Sequence, residues 1–108
     1  MNFILTTKNF TLQQFKAFYC HHFVSTSSES GTEIKFAVEK NKIDSFVSCL
    51  IMQHLKFDAL HQNLALLNTK TPIQLHAIDE YQRVKLMIKQ LLDCVQSNPE
   101  ITVEDLNA

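Results

Sequence analysis

The residues best placed to do chemistry are His54, Asp58 and His61, and they sit inside the most apolar stretch of the chain. Between Ile43 and Leu67 the residues Ile43, Phe46, Leu50, Phe57, Leu60 and Leu64 recur at three- and four-residue steps, the period of one helix face. Successive helical residues lie about 100° apart. Both histidines therefore fall within the stripe and Asp58 falls at its edge, where an unpaired polar group is costly to bury. A metal site is one chemistry open to such residues, because histidine and aspartate three or four positions apart share a helix face. His54 and His61, however, stand about 10.5 Å apart along an unbent helix axis. At most one of them joins Asp58 on a single ion, so no metal ligand set is assigned.

The other chemically rich run is Cys20-His21-His22. Neighbouring helical residues point in different directions, so these side chains do not converge on one site by local spacing alone. A nucleophilic cysteine needs a histidine base and an orienting group assembled in space, and nothing in the spacing supplies them. The sequence offers no nucleotide-binding loop, zinc ribbon or hydrolase elbow. The expectation is a non-enzyme with no cofactor.

A partner for the polar trio comes from the far end of the chain. Thr71-Pro72-Ile73-Gln74 opens a helix, with Pro72 at its favoured first position and Gln74 completing a capping box with Thr71. Ala77, Tyr81, Val84, Ile88, Leu91 and Val95 then form its apolar stripe, which must end before Asn98-Pro99. A short connection between two such helices makes them antiparallel neighbours. That register sets Leu50 level with Ile88, Phe57 with Tyr81 or Gln82, and His61 with Ile78. It also brings Lys85, which interrupts the apolar face of the second helix, toward His54 and Asp58. The predicted arrangement is a polar core cluster of His54, Asp58, His61, Tyr81 and Lys85 built on an Asp58–Lys85 ion pair, a device best attested for fixing register.

The elements that hold this cluster read as mainly α. The pattern predicts a small helical bundle with a long antiparallel hairpin, about 42–67 and 72–97, with Asn41 capping its first helix. Thr11 and Gln14 form a second capping box and open an aromatic N-terminal helix, about 12–24, whose Phe15, Phe18, Tyr19 and Phe23 are the candidate partner-binding residues. Residues 33–39 alternate apolar and polar, which predicts a strand pairing with 3–7 in a two-stranded β ribbon. A helical turn running into the next helix is the competing reading of 33–39. The Ser-rich segment 25–32, which holds the only glycine, reads as a surface loop, and 99–108 as an acidic tail of the same single domain.

Composition narrows function further. Hydrophobic residues make up 45% and charged residues 19%, a globular balance far from that of disordered chains. Net charge is −1 and Arg83 is the only arginine among ten basic residues, which argues against a nucleic-acid partner. The N-terminus lacks the basic region of a signal peptide. No run approaches the roughly 20 apolar residues of a bilayer span. Cys20, Cys49 and Cys94 are odd in number and widely spaced, so free thiols and a cytoplasmic location are expected. Two helices of about 37 Å each exceed what a domain with a radius of gyration of about 13 Å can enclose. The hairpin must protrude, break or pair with a copy of itself. The resulting expectation is a non-catalytic protein–protein interaction module, an adaptor, chaperone or regulator that self-associates or binds a protein partner. A small DNA-binding regulator carrying Lys35, Lys40 and Lys42 is the alternative, and a metal or enzymatic role at His54, Asp58 and Lys85 comes third.

Overall fold

Strands open the molecule and helices close it in the computed structural model, which describes residues 2–17 and 19–98. In chain order these are β1 (Asn2–Lys8), α1 (Leu12–Lys16), a 3-10 segment (Tyr19–Phe23), β2 (Val24–Ser30), β3 (Glu33–Glu39), a 3-10 turn (Lys40–Lys42), α2 (Ile43–Ala65) and α3 (Pro72–Ser97). The sheet is antiparallel with the order β1-β3-β2. The architecture is thus α+β, which corrects the expectation of a mainly α helical bundle with a two-stranded ribbon.

The 3–7 and 33–39 segments do pair, with Phe3 opposite Val38, Leu5 opposite Phe36 and Thr7 opposite Ile34. All of these residues are buried on the face turned to the helices. What the ribbon reading lacked is β2, because the Ser-rich segment taken for a loop is the third strand. Past Val24 every residue of β2 is exposed, so it carries none of the apolar alternation that marks a half-buried strand. Pairing with β3 makes it a strand, and Gly31, at φ 60°, supplies the left-handed residue of the Gly31-Thr32 connection. Ser25 is the extra residue of a β-bulge between Val24 and Thr26, and its hydroxyl donates to the Ala37 carbonyl at 3.0 Å.

The N-terminal helix is also shorter than the 12–24 predicted. Its capping box forms as expected: the Gln14 N–H donates to Thr11 Oγ1 at 3.1 Å, and the Thr11 N–H donates to Gln14 Oε1 at 2.8 Å. The helix then stops at Lys16 and a 3-10 segment follows. Phe15 packs on Phe36, with ring centroids 4.3 Å apart, and Cys20 is fully buried. A continuous α-helix would point residues five apart about 140° from each other, so the break is what lets both face the core.

The hairpin forms over the predicted span. Thr71 caps α3, accepting from the Gln74 N–H at 3.2 Å while its own N–H donates to Gln74 Oε1 at 2.9 Å. Asn41 does not cap α2; it lies in the 3-10 turn, and no side-chain cap is made there. α3 also shields the outer edge of β1, where the Lys8 N–H donates to Gln90 Oε1 at 2.9 Å and the Thr6 N–H approaches Cys94 Sγ at 3.5 Å. Burial within the hairpin is confined to its base: Ile43, Phe46, Cys49 and Leu50 of α2, with Met87, Ile88, Leu91 and Val95 of α3. From Ile51 to Leu86 no residue is fully buried. The hairpin protrudes and does not break: α2 runs unbroken through 56–58, and the molecule extends 49 × 32 × 21 Å with a radius of gyration of 15.0 Å.

Candidate functional site

The polar cluster assembles on the protruding arm. Lys85 Nζ donates to Asp58 Oδ1 at 2.9 Å and lies 3.1 Å from His61 Nδ1. Gln62 Nε2 donates to Asp58 Oδ2 at 3.1 Å. Phe57 and Tyr81 stack one level away with centroids 5.6 Å apart, so the Asp58–Lys85 pairing and the Phe57–Tyr81 level both match the register read from the two stripes. The Lys85 hydrogen bond holds the Asp58 carboxyl below its ordinary value; partial burial opposes this, while the charges of Lys85, His54 and His61 assist.

One aspect of the cluster needs correction, because it is not a buried layer. The Lys85 side chain is 17% exposed and that of Asp58 38%. The arm is only two helices thick, so the seam between them is open to water at its flanks. An ammonium tied to a carboxylate and an imidazole fixes the register of the two helices. It also stands between Asp58 and His61, where a shared metal ion would have to sit. Among the described residues, no three His, Cys, Asp or Glu side chains gather as a metal site needs.

The four aromatic candidates separate. Phe15 is core, and Phe18 lies outside the described residues. Tyr19 is 64% exposed and Phe23 half-buried. The His22 ring lies against both, with centroids 4.4 Å from Tyr19 and 4.0 Å from Phe23, and its Nδ1 meets the Tyr19 carbonyl. Tyr19 and Phe23 form one wall of a groove of about 450 Å³ whose other wall is α2, from Asp44 to Gln53, with Cys49 and Met52 in the lining.

From that groove an apolar strip continues along the arm. Ile51, Met52, Leu55 and Leu66 are all exposed, Met52 at 69%, Leu55 at 64% and Leu66 at 80%. Stepping 100° per residue places these four about 180° around α2 from Phe46, Leu50, Phe57 and Leu64, which face the interior. α2 is therefore apolar on two opposite faces. Its 23 residues carry only Asp44, Lys56 and Asp58 as charges, whereas α3 carries Asp79, Glu80, Arg83, Lys85, Lys89 and Asp93. The outer face of α2 is what the sequence reading missed. The signal was a second series of helical period in the same segment, hidden by the stronger inner one.

No family model, curated protein or solved structure matches this chain.

Proposed function

We propose that the chain is a non-catalytic protein–protein interaction module, an adaptor, chaperone or small regulator of the reducing cytoplasm, that covers the outer face of α2 with another protein surface. The observation that carries this reading is the second apolar stripe of α2, lying opposite the face already used for packing. Isolated exposed apolar residues are ordinary, but a cluster such as Ile51, Met52 and Leu55 on a charge-poor helix marks an interface. Its preferred occupant is the same face of a second copy, packed about a two-fold axis. A strip with almost no charge has no electrostatic objection to meeting itself. The reading calls for no cofactor, metal, nucleic acid or membrane. Among the described residues no helix is long and apolar enough to cross a bilayer. In the lysine group that a DNA-binding alternative would use, Lys42 is paired with Glu39 at 3.6 Å.

Sedimentation equilibrium tests the proposal. The expected species is a dimer of the 12.5 kDa chain, and Leu55→Glu should convert it to a folded monomer by placing a charge at the centre of the strip. A wild-type chain that stays monomeric at high concentration removes self-association and leaves a different protein as the only occupant. A Leu55→Glu dimer as tight as the wild type would remove the α2 face altogether.

A further inference from the structure

The core contains a pair of nucleophilic side chains that the interaction reading does not use. Cys20 Sγ lies 2.9 Å from Cys49 Sγ, and both are free thiols. A disulfide needs about 2.05 Å, so joining them requires an approach of under about 1 Å. The two cysteines are 29 residues apart in sequence and lie on different elements, the 3-10 segment and α2. Their access differs. Cys20 is sealed, whereas Cys49 is 8% exposed and lines the Tyr19–Phe23 groove. The third cysteine, Cys94, is engaged elsewhere, with the Thr6 N–H at the β1 edge.

We propose that Cys20 and Cys49 form a dithiol site that a small-molecule disulfide oxidises, fastening the 3-10 segment to α2 by a reversible covalent bond. Reached through the groove, Cys49 attacks one sulfur of the small disulfide as its thiolate. That S–S bond breaks, one small thiolate leaves, and a mixed disulfide remains on Cys49. Cys20 then gives up its proton and attacks the Cys49 sulfur, expelling the second small thiolate. Two electrons and two protons pass from the protein to the small disulfide, which ends as two thiols. Burial and the Cys49 contact push the Cys20 thiol up, so the closing step quickens as pH rises. Because Tyr19 and Phe23 flank Cys20, the bond fixes the groove wall they form. The thiol pair stands on the fold alone, but the groove that reaches Cys49 shares Met52 with the outer strip of α2, so the oxidation is followed at concentrations where the chain is monomeric.

The test uses the full folded chain with oxidised glutathione as the probe. After acid quenching, denaturation and alkylation, intact mass and peptide mapping should show a chain that has lost two hydrogen atoms, a Cys20–Cys49 cross-link and alkylation at Cys94 alone, all reversed by dithiothreitol. A persistent glutathione adduct on Cys49 without a cross-link would overturn the proposal, as would bonds to Cys94 in comparable yield. Repeating the oxidation in denaturing urea should abolish the preference for Cys20 with Cys49; an equal preference there would mean that the fold does not set the pairing. Cys20→Ser should trap the mixed disulfide at Cys49. In Cys49→Ser, Cys20 should stay unmodified over the same interval, and rapid adduct formation at Cys20 would contradict the order of attack.

Discussion

The base and the arm of the helical hairpin are built from the same two helices and have different physics. At the base, Phe46 and Leu50 meet α3 and join one core with the sheet residues Phe36 and Val38 and with Cys20 of the 3-10 segment. On the arm, Phe57 meets Tyr81 across a single helix–helix seam, and the segment around Phe10 reaches only its root, where the Arg83 guanidinium lies 5.8 Å over the Phe10 ring. Helical periodicity sets which way a side chain points. How deeply it is buried depends on how many other elements arrive at that level, and this is a property of the topology. The base closes on itself as a core, and the arm is left open.

The sharpest way to break this contrast is a truncation on each side of it. Phe46→Ala should cost about 3 to 5 kcal/mol in urea unfolding, the penalty for emptying a closed core site. Leu55→Ala, on the outer face of the arm, should stay within about 0.5 kcal/mol, as surface changes do, when measured at concentrations where the chain is monomeric. Similar losses at the two positions would mean that base and arm are one cooperative body.

A smaller effect probes a flaw within the base. Thr7 is 1% exposed on the core face of β1, and among the described residues its hydroxyl has no hydrogen-bond partner. Thr7→Val keeps the shape and removes the desolvated oxygen, so it should raise stability by about 1 kcal/mol. A loss of stability would show that the hydroxyl has a partner in solution.

The smallest effect belongs to the arm's polar tie. Because water reaches Asp58, Lys85→Met should lower stability far less than Phe46→Ala, a weaker outcome than a fully buried pair would give. Its pH signature is the better readout. The folded state holds Asp58 below its ordinary value of 3.8, so the tie stabilises fully above that value and its contribution fades as pH falls through the lowered one. Acid titration from about pH 5 to about pH 2 should loosen the wild-type arm, seen as lower amide protection around Asp58 once the intrinsic exchange rate at each pH is divided out, and Lys85→Met should largely erase that pH dependence. An unchanged acid response in the variant would show that the pair does not hold the arm.

Several features were legible in the sequence for definite reasons. The Asp58–Lys85 contact followed from matching two helical stripes across a short connection, and the β1–β3 pairing followed from the alternation in 33–39. The capping boxes at Thr11 and Thr71 marked two helix starts correctly. β2 was illegible because an edge strand wet on both faces has no apolar residues to alternate, so Ser25 to Ser30 looks the same as a loop. The early end of α1 was hidden because the aromatic spacing continues past Lys16, while the burial of both Phe15 and Cys20 requires a break. For the polar trio the pattern gave direction but not depth, and the outer strip of α2 went unread because one segment held two superimposed periods.

The shielding of β1 by Gln90 and Cys94 carries a consequence for how the molecule comes into being. β1 leaves the ribosome before the helix that shields it, and the groups that protect its open edge lie 82 and 88 residues later in the chain. Contacts so distant in sequence are slow to form because the intervening chain must first be brought to order. Until α3 is made, β1 therefore waits with its outer backbone amides unguarded, the condition in which strands pair with the wrong neighbour. α3 is thus the fold's closing piece, and the interval before it docks is when a nascent chain of this protein is most open to misassembly.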